Sequence, residues 1–440
     1  MNDYKENSLS LGNAVAMGTG VMIGAGIFAL LGQVAELSGE YFALSFVVGG
    51  VISGFSAYSY VKMAKAYPSA GGIAMFLQKA YGKGTITASA ALLMAFSMIL
   101  NESLVARTFG SYAMQLFDGG EDSFWVPVLA VALLVTAFII NILGNKVIGR
   151  TAMTTAAIKI GGILIFAIGA LWAADFAVGS ALPSSAPTNS FTDYIASLAL
   201  SILAYKGFTT ITNSGGEIVN PKKNIGKAII YSLIICGIVY FLTALAVGAN
   251  LEISEIIKAK DYSLAEAARP LFGSWGLYFT VGIALVATIT GVIFSVFAVS
   301  RMTAMLTNMK LVPHSHFGMK GNIQQHMLVY VIVLSIALTV LFDLSGIAAM
   351  GAIFYLIMDM IIHVGVLNRM REEVQANRFV VIIAIVLDAV VLTGFVWVKL
   401  QTNLTVILVS LALILITFVG EKFFLKGRQE TDGEENRSGH

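Results

Sequence analysis

The sequence predicts an all-α integral membrane protein with about 12 transmembrane helices, and composition, the spacing of apolar runs and the placement of charge each point to it. Apolar residues make up 57% of the chain and charged residues 12%, with a mean hydropathy of +0.83. That balance is the one a bilayer-spanning bundle needs. Apolar segments follow one another at 10–34, 41–66, 85–117, 124–143, 151–173, 191–214, 226–250, 275–308, 327–342, 346–367, 379–400 and 404–425. Each is close to the ~20 residues that cross ~30 Å of hydrocarbon. The net charge of +2 gives no case for nucleic acid as a partner. The lone cysteine, Cys236, lies inside an apolar run and excludes an intramolecular disulfide or a cysteine metal site.

Charge sets the expected orientation. Lys62, Lys65, Lys79, Lys83, Lys146, Arg150, Lys222, Lys223, Lys227, Arg301, Lys310, Lys320, Arg369, Arg371 and Arg378 fall on alternate loops. The opposite loops hold mainly Lys258, Lys260, Arg269 and Lys399, with Asp118, Glu121 and Asp122 adding negative charge. The positive-inside rule makes the richer loops cytoplasmic, and both termini with them. The first segment is too long and too rich in glycine for a cleaved signal peptide, so it is expected to remain as the first membrane helix.

That first segment carries Gly18, Gly20, Gly24 and Gly26 within Gly18-Thr-Gly-Val-Met-Ile-Gly-Ala-Gly-Ile-Phe28. Unpaired backbone amides are costly in lipid, so such a helix is expected to break only where it lines a cavity or binds something. Close helix packing through small residues is the other reading of the same spacing. The sixth segment carries Ala204-Tyr-Lys-Gly-Phe-Thr-Thr-Ile-Thr-Asn-Ser-Gly-Gly-Glu217. A lysine at mid-helix costs about 2.5–3.5 kcal/mol on insertion, and a continuous lipid-facing helix would not hold one beside glycine. The two glycine-interrupted segments open two five-helix blocks, the arrangement of inverted repeats.

Gly18-x-Gly-x-x-Ile-Gly-x-Gly-Ile-Phe28, Tyr205-x-Gly-Phe208 and Glu217-Ile-Val-Asn-Pro-Lys-Lys-Asn-Ile225 resemble the amino acid-polyamine-organocation superfamily of permeases, in particular proton-coupled prokaryotic amino acid transporters. The resemblance implies a LeuT-type 5+5 inverted repeat with broken helices 1 and 6 and two further helices. On it, residues 1–9 are a cytoplasmic tail, 10–173 the first repeat, 191–367 the second and 379–425 helices 11 and 12. It also implies alternating-access transport of amino acids or related amines across a cell inner membrane, with no enzyme activity. The tail from Gly427 is expected to be disordered.

Physical reasoning about the site runs beside the resemblance. Amides released where Ile23, Gly24, Ala25 and Gly26 unwind would suit a carboxylate. Exposed carbonyls at the opposing break suit an ammonium, and the resemblance assigns that side to Ala204, Tyr205 and Gly207, with Phe208 or Tyr205 as a gate. Glu102, in the third segment, and Lys206 depart from the residues usual in the family. Glu102 could select a cationic substrate, relay a proton or pair with Lys206.

Lys159 is a lone cation about 13 Å into the fifth segment at ~1.5 Å per residue. It could snorkel toward Arg150. Alternatively, the resemblance places its ammonium where sodium-coupled relatives bind a cation, between the Gly20 carbonyl and the Thr290 hydroxyl. Burial makes an ammonium costly and suits it to exchanging a proton, so a proton is the expected coupling ion and sodium is not. No cofactor or metal is expected. Lys159 favours symport, and Glu102 with Lys206 leaves obligatory exchange open.

Three further expectations concern packing and polar pairs. Segments 327–342 and 346–367, parted by Asp343-Leu-Ser345, should form a tight antiparallel pair, and 252–271 reads as short amphipathic helices on a membrane face or as a solvated loop. Asp359 and His363, spaced i, i+4, are expected to pair locally with Arg301 or Arg369 rather than to form a proton path, while Asp388 is expected only to make a buried contact or face an oligomer. His314 and His316 lack ligand partners at metal spacing. The chain carries none of the common membrane-enzyme or channel-filter motifs.

Overall fold

A computed structural model of the chain describes residues 8–69, 71–117, 124–143, 146–178, 189–309, 311–312 and 322–438. The loop residues Asp118, Glu121, Asp122, Lys310, His314, His316 and Lys320 lie outside that set, as does the Arg150 side chain. In chain order the helices are α1 (Leu11–Ser38), α2 (Phe42–Ala66), α3 (Gly72–Tyr81), α4 (Thr85–Met114), α5 (Trp125–Leu143), α6 (Lys146–Ala173), α7 (Phe191–Tyr205) and α8 (Phe208–Asn213). They continue as α9 (Pro221–Asn250), α10 (Ile253–Lys258), α11 (Ser263–Asn308), α12 (Ile323–Leu341), α13 (Leu344–Gly365), α14 (Arg378–Thr402) and α15 (Leu404–Ser438). Among the described residues, 11 helical stretches are long and apolar enough to cross a membrane, one of them running from α1 into α2.

Every apolar segment read from the sequence coincides with a helix. The central helices α1, α4, α7 and α13 are buried on nearly every side, whereas α5, α14 and α15 turn residues such as Ile139, Trp397 and Leu415 outward. Helices apolar all round suit either a bundle core or a lipid surface. Both uses are present here. α15 stays helical to Ser438, through the segment from Gly427 whose composition predicts disorder.

α1 departs from expectation. It is one helix from Leu11 to Ser38, not two half-helices parted at Ile23–Gly26. Gly24 and Gly26 admit neighbouring elements instead: a Cβ on Gly24 would lie 3.1 Å from the Ala287 carbonyl oxygen of α11, and one on Gly26 would lie 3.0 Å from the Ala204 carbonyl oxygen of α7. In a continuous helix the amides pair four residues back, so this turn holds its own N–H groups.

The sixth segment is interrupted by a tightened turn rather than unwound, since Lys206 (φ −62°, ψ −15°) and Gly207 (φ −56°, ψ −15°) both stay in the right-handed helical region. α7 ends at Tyr205 and α8 begins at Phe208, with Lys206 and Gly207 between them closed by i→i+3 bonds. Lys206 N donates to Leu203 O at 3.2 Å and Thr209 N to Lys206 O at 3.0 Å. Tightening the turn in this way leaves some four-residue partners unmade, and side chains must satisfy them.

Other elements explain their sequence locally. Asn220 takes a left-handed conformation (φ 49°) ahead of Pro221, which opens α9 as its first helical residue. The Asn-Pro of the loop motif is thus a helix start. α11 kinks at Gly273 (φ 56°), three residues after Pro270. The 252–271 stretch forms α10 and the first turns of α11. It packs on the far end of α1, where Lys260 pairs with Glu36 at 2.9 Å and Gln33 donates to Asp261 at 2.6 Å.

α12 and α13 do not lie along one another as the short connection suggested. α12 packs on α4, α5 and α11, while α13 packs on α4, α7 and α14. Asp343 caps α13 by accepting from Gly346 N at 2.8 Å and lets the two helices diverge. The ten-residue α3 was not apparent from hydropathy. Its start is held by Asn213 at the end of α8, whose side-chain oxygen accepts from Ile73 N at 3.2 Å.

Candidate substrate and coupling site

α1 and the α7–α8 break cross in the middle of the bundle. Gly207 makes this possible, because a Cβ there would stand 2.8 Å from Met22 N and 2.7 Å from Met22 Cγ. Ile23 is fully buried at the crossing, and Gly24 and Gly26 pack as described. Ala25 shares the turn through its backbone, and its side chain lies outside the described set. Two elements that sequence reasoning paired through their glycines therefore do meet, although α1 is continuous and the other is interrupted only by a tightened turn.

The polar groups of the break are held from several sides. The Tyr240 hydroxyl of α9 donates to the Ala204 carbonyl at 3.1 Å. The Tyr205 hydroxyl donates to the Phe46 carbonyl of α2 at 3.0 Å, and its ring lies 5.0 Å from that of Tyr240. Phe208 is fully buried edge-on to Tyr60, with ring centroids 5.3 Å apart. Of the two gating candidates, Tyr205 faces α2 and α9 and Phe208 faces Tyr60 of α2. Tyr240 and Ser97 escaped the sequence reading, since a tyrosine or serine in an apolar run gives no local sign of its partner.

Lys206 and Glu102 do not form a direct pair. Lys206 Nζ donates to the Ser97 carbonyl at 2.6 Å and to Ser97 Oγ at 2.9 Å. Glu102, a turn and a half further along α4, accepts from Ser295 of α11 at 3.3 Å and Ser335 of α12 at 3.1 Å. Both are buried. Three hydroxyl-bearing side chains spread over α4, α11 and α12 thus separate the charges that sequence reasoning placed together.

Lys159 sits where the resemblance implied for one of its two neighbours. It is fully buried on α6, and its Nζ donates to the Gly20 carbonyl of α1 at 3.0 Å. It does not snorkel. No hydrogen bond joins Lys159 to Thr290, whose hydroxyl donates back to Val286 O at 2.7 Å and Ala287 O at 3.3 Å within α11.

Arg301 and Arg369 are likewise engaged elsewhere. Arg301 donates to Glu217 of the loop motif and lies over the Phe297 ring, and that same loop pairs with the N-terminal segment through Leu9 N to Glu217 O at 2.9 Å. Arg369 donates to the Ala80 carbonyl at 3.3 Å and lies over Tyr81. Asp359 and His363 therefore lack the arginine partners expected of them. His363 faces Asp388 of α14 instead, at 3.3 Å.

A multi-pass helical bundle in which an interrupted helix crosses a glycine-rich one among buried polar and charged side chains is the arrangement of a membrane transporter. The sequence model of the family described as amino acid permease matches residues 9–425, and the chain belongs to that family. It is 30% identical to the inner membrane transport protein YbaT of Escherichia coli over 88% of this chain and 90% of that one. It is 26% identical to the serine/threonine exchanger SteT of Bacillus subtilis over 57% and 56% of the two chains. The branched-chain amino acid permease BcaP of Lactococcus lactis is 24% identical over 49% and 50%.

Proposed function

We propose that this permease moves amino acids by alternating access in proton-coupled symport, on a LeuT-type frame of two inverted five-helix repeats with α14 and α15 outside them. Lys159 carries the proposal. A fully buried ammonium whose one hydrogen-bond partner among the described residues is the Gly20 carbonyl links α6 to the glycine-rich helix of the crossing. Losing a proton removes the charge assistance of that bond and frees α1 to move. A proton then does the work of a bound metal cation, so sodium is not required.

The substrate is an amino acid or a related amine, seated at the α1–α7 crossing among Ile23–Gly26 and Ala204–Phe208. Opening of α1 at its glycines belongs to another state of the cycle, and Gly24 and Gly26 supply the backbone freedom for it. The names of the relatives span a permease and an exchanger, and the buried Glu102 and Lys206 favour exchange of charged substrates as the second reading. The resemblance to YbaT and the loop charges support a cell inner membrane with both termini cytoplasmic.

Uptake of a radiolabelled amino acid panel into proteoliposomes tests both readings. With an inward proton gradient and no sodium, symport gives accumulation into empty vesicles that an uncoupler collapses. Uptake confined to vesicles preloaded with amino acid would replace symport by exchange.

A further inference from the structure

Away from the crossing, three ionisable side chains converge where α2, α13 and α14 meet. Asp359 and His363 stand one turn apart on α13 and Asp388 faces them from α14, all three fully buried. His363 Nε2 lies 3.3 Å from Asp388 Oδ2 and 3.6 Å from Asp359 Oδ2. One ligand atom from each residue lies within 4.8 Å of the other two.

Their surroundings orient two members and leave the third without support. Asp359 accepts from the Ser56 hydroxyl on one oxygen and from the Tyr60 hydroxyl on the other. His363 Nδ1 lies 2.9 Å from Ser59 Oγ, which leaves Nε2 directed at the carboxylates. Neither oxygen of Asp388 nor His363 Nε2 makes a hydrogen bond of good geometry, although Nε2 and Oδ2 lie 3.3 Å apart. Buried polar atoms without partners are rare, and several meeting at one point call for something between them.

Charge and distance say what that is. No lysine or arginine reaches either carboxylate among the described ion pairs. In the form that ligates a metal, with both carboxylates ionised and the imidazole neutral, the three groups carry two negative charges, which are costly deep in a membrane bundle. A divalent cation brings the sum to zero. Charge-assisted N–H···O bonds run about 2.7–2.9 Å, shorter than both contacts of Nε2. A tetrahedral centre with bonds of about 2.0–2.2 Å to nitrogen and oxygen has ligand–ligand edges of about 3.3–3.6 Å.

We propose that Asp359, His363 and Asp388 bind one divalent transition-metal cation of the zinc class, through one oxygen of each carboxylate and His363 Nε2. Oxygen and imidazole ligands without thiolate select zinc, manganese, iron or cobalt over soft copper(I). Ser56, Tyr60 and Ser59 are its outer partners, fixing the carboxylate and the imidazole tautomer. The ion fastens α14 to α2 and α13 and is not cargo, since no ligand is exposed. Sequence spacing hides the site because one ligand comes from a different helix.

The test is metal content of the full chain, purified in detergent with a tag free of histidine, exposed to zinc chloride and desalted. Elemental analysis is expected to give one zinc per wild-type chain and less than a tenth of that in His363→Gln and Asp388→Asn. Cobalt(II) in place of zinc is expected to give visible ligand-field absorption in wild type alone. Should the variants fail to fold, a membrane-permeant chelator added to wild-type protein decides, with a lower Tm that zinc restores. Substoichiometric zinc in wild type with no chelator effect overturns the proposal. So does an infrared carboxylic-acid band in zinc-treated wild type that Asp388→Asn removes, because a proton then fills the place of the metal.

Discussion

Replacing Lys159 by methionine separates the coupling proposed for this lysine from its structural role. The substitution keeps an unbranched side chain of similar length and removes the ammonium. In the folded protein that ammonium is 0% exposed, with the Gly20 carbonyl at 3.0 Å as its hydrogen-bond partner. A hydrogen bond from a charged donor contributes about 1.5–3 kcal/mol, while desolvating a charge costs several. The two roughly cancel. Lys159→Met is therefore expected to hold or raise the Tm of the purified protein. Transport responds differently. A gradient of one pH unit stores about 1.4 kcal/mol per proton, which at zero membrane potential drives about tenfold accumulation when one proton moves with each substrate. In proteoliposomes clamped at zero potential, wild type is expected to approach that ratio and Lys159→Met to stop near equality inside and out. Lys159→Arg, which keeps the charge and cannot release it, is expected to stop there too. Accumulation by Lys159→Met at the wild-type ratio would refute the reasoning.

Three further substitutions probe the crossing. Gly207→Ala places a Cβ 2.8 Å from Met22 N, and crowding of that kind costs about 1–3 kcal/mol; a lower Tm with impaired uptake is expected, and an unaltered Tm would mean that α1 and the break are not so tightly joined. Tyr240→Phe removes the donor to the Ala204 carbonyl and leaves a buried acceptor alone, a loss of about 1–3 kcal/mol to be read as a shift in thermal unfolding. Glu102→Gln keeps an acceptor for Ser295 and Ser335 and removes a buried negative charge. Competition assays across neutral, acidic and basic amino acids are expected to show a changed charge preference, and an unchanged ranking would take Glu102 out of selectivity.

The sequence by itself determined the membrane-spanning helices, the break at Lys206–Gly207 and the singular place of Lys159, because each is written locally. Hydropathy over about 20 residues decides whether a helix crosses lipid, and a lysine beside glycine inside such a run is costly enough to mark a special site. The tertiary structure alone decided the rest. Gly18, Gly20, Gly24 and Gly26 are consistent both with a break and with close packing, and whether α11 and α7 occupy the space those glycines leave cannot be read from α1. In this conformation they do at Gly24 and Gly26, through Ala287 and Ala204, whereas a Cβ on Gly20 would meet nothing within 4 Å, and α1 stays whole. Glu102 found serines on α11 and α12 in place of Lys206, and His363 found Asp388 in place of an arginine. The partner of a buried charge is chosen by where helices far apart in the chain come to lie, and desolvation makes every such charge take whichever partner the packing brings within reach.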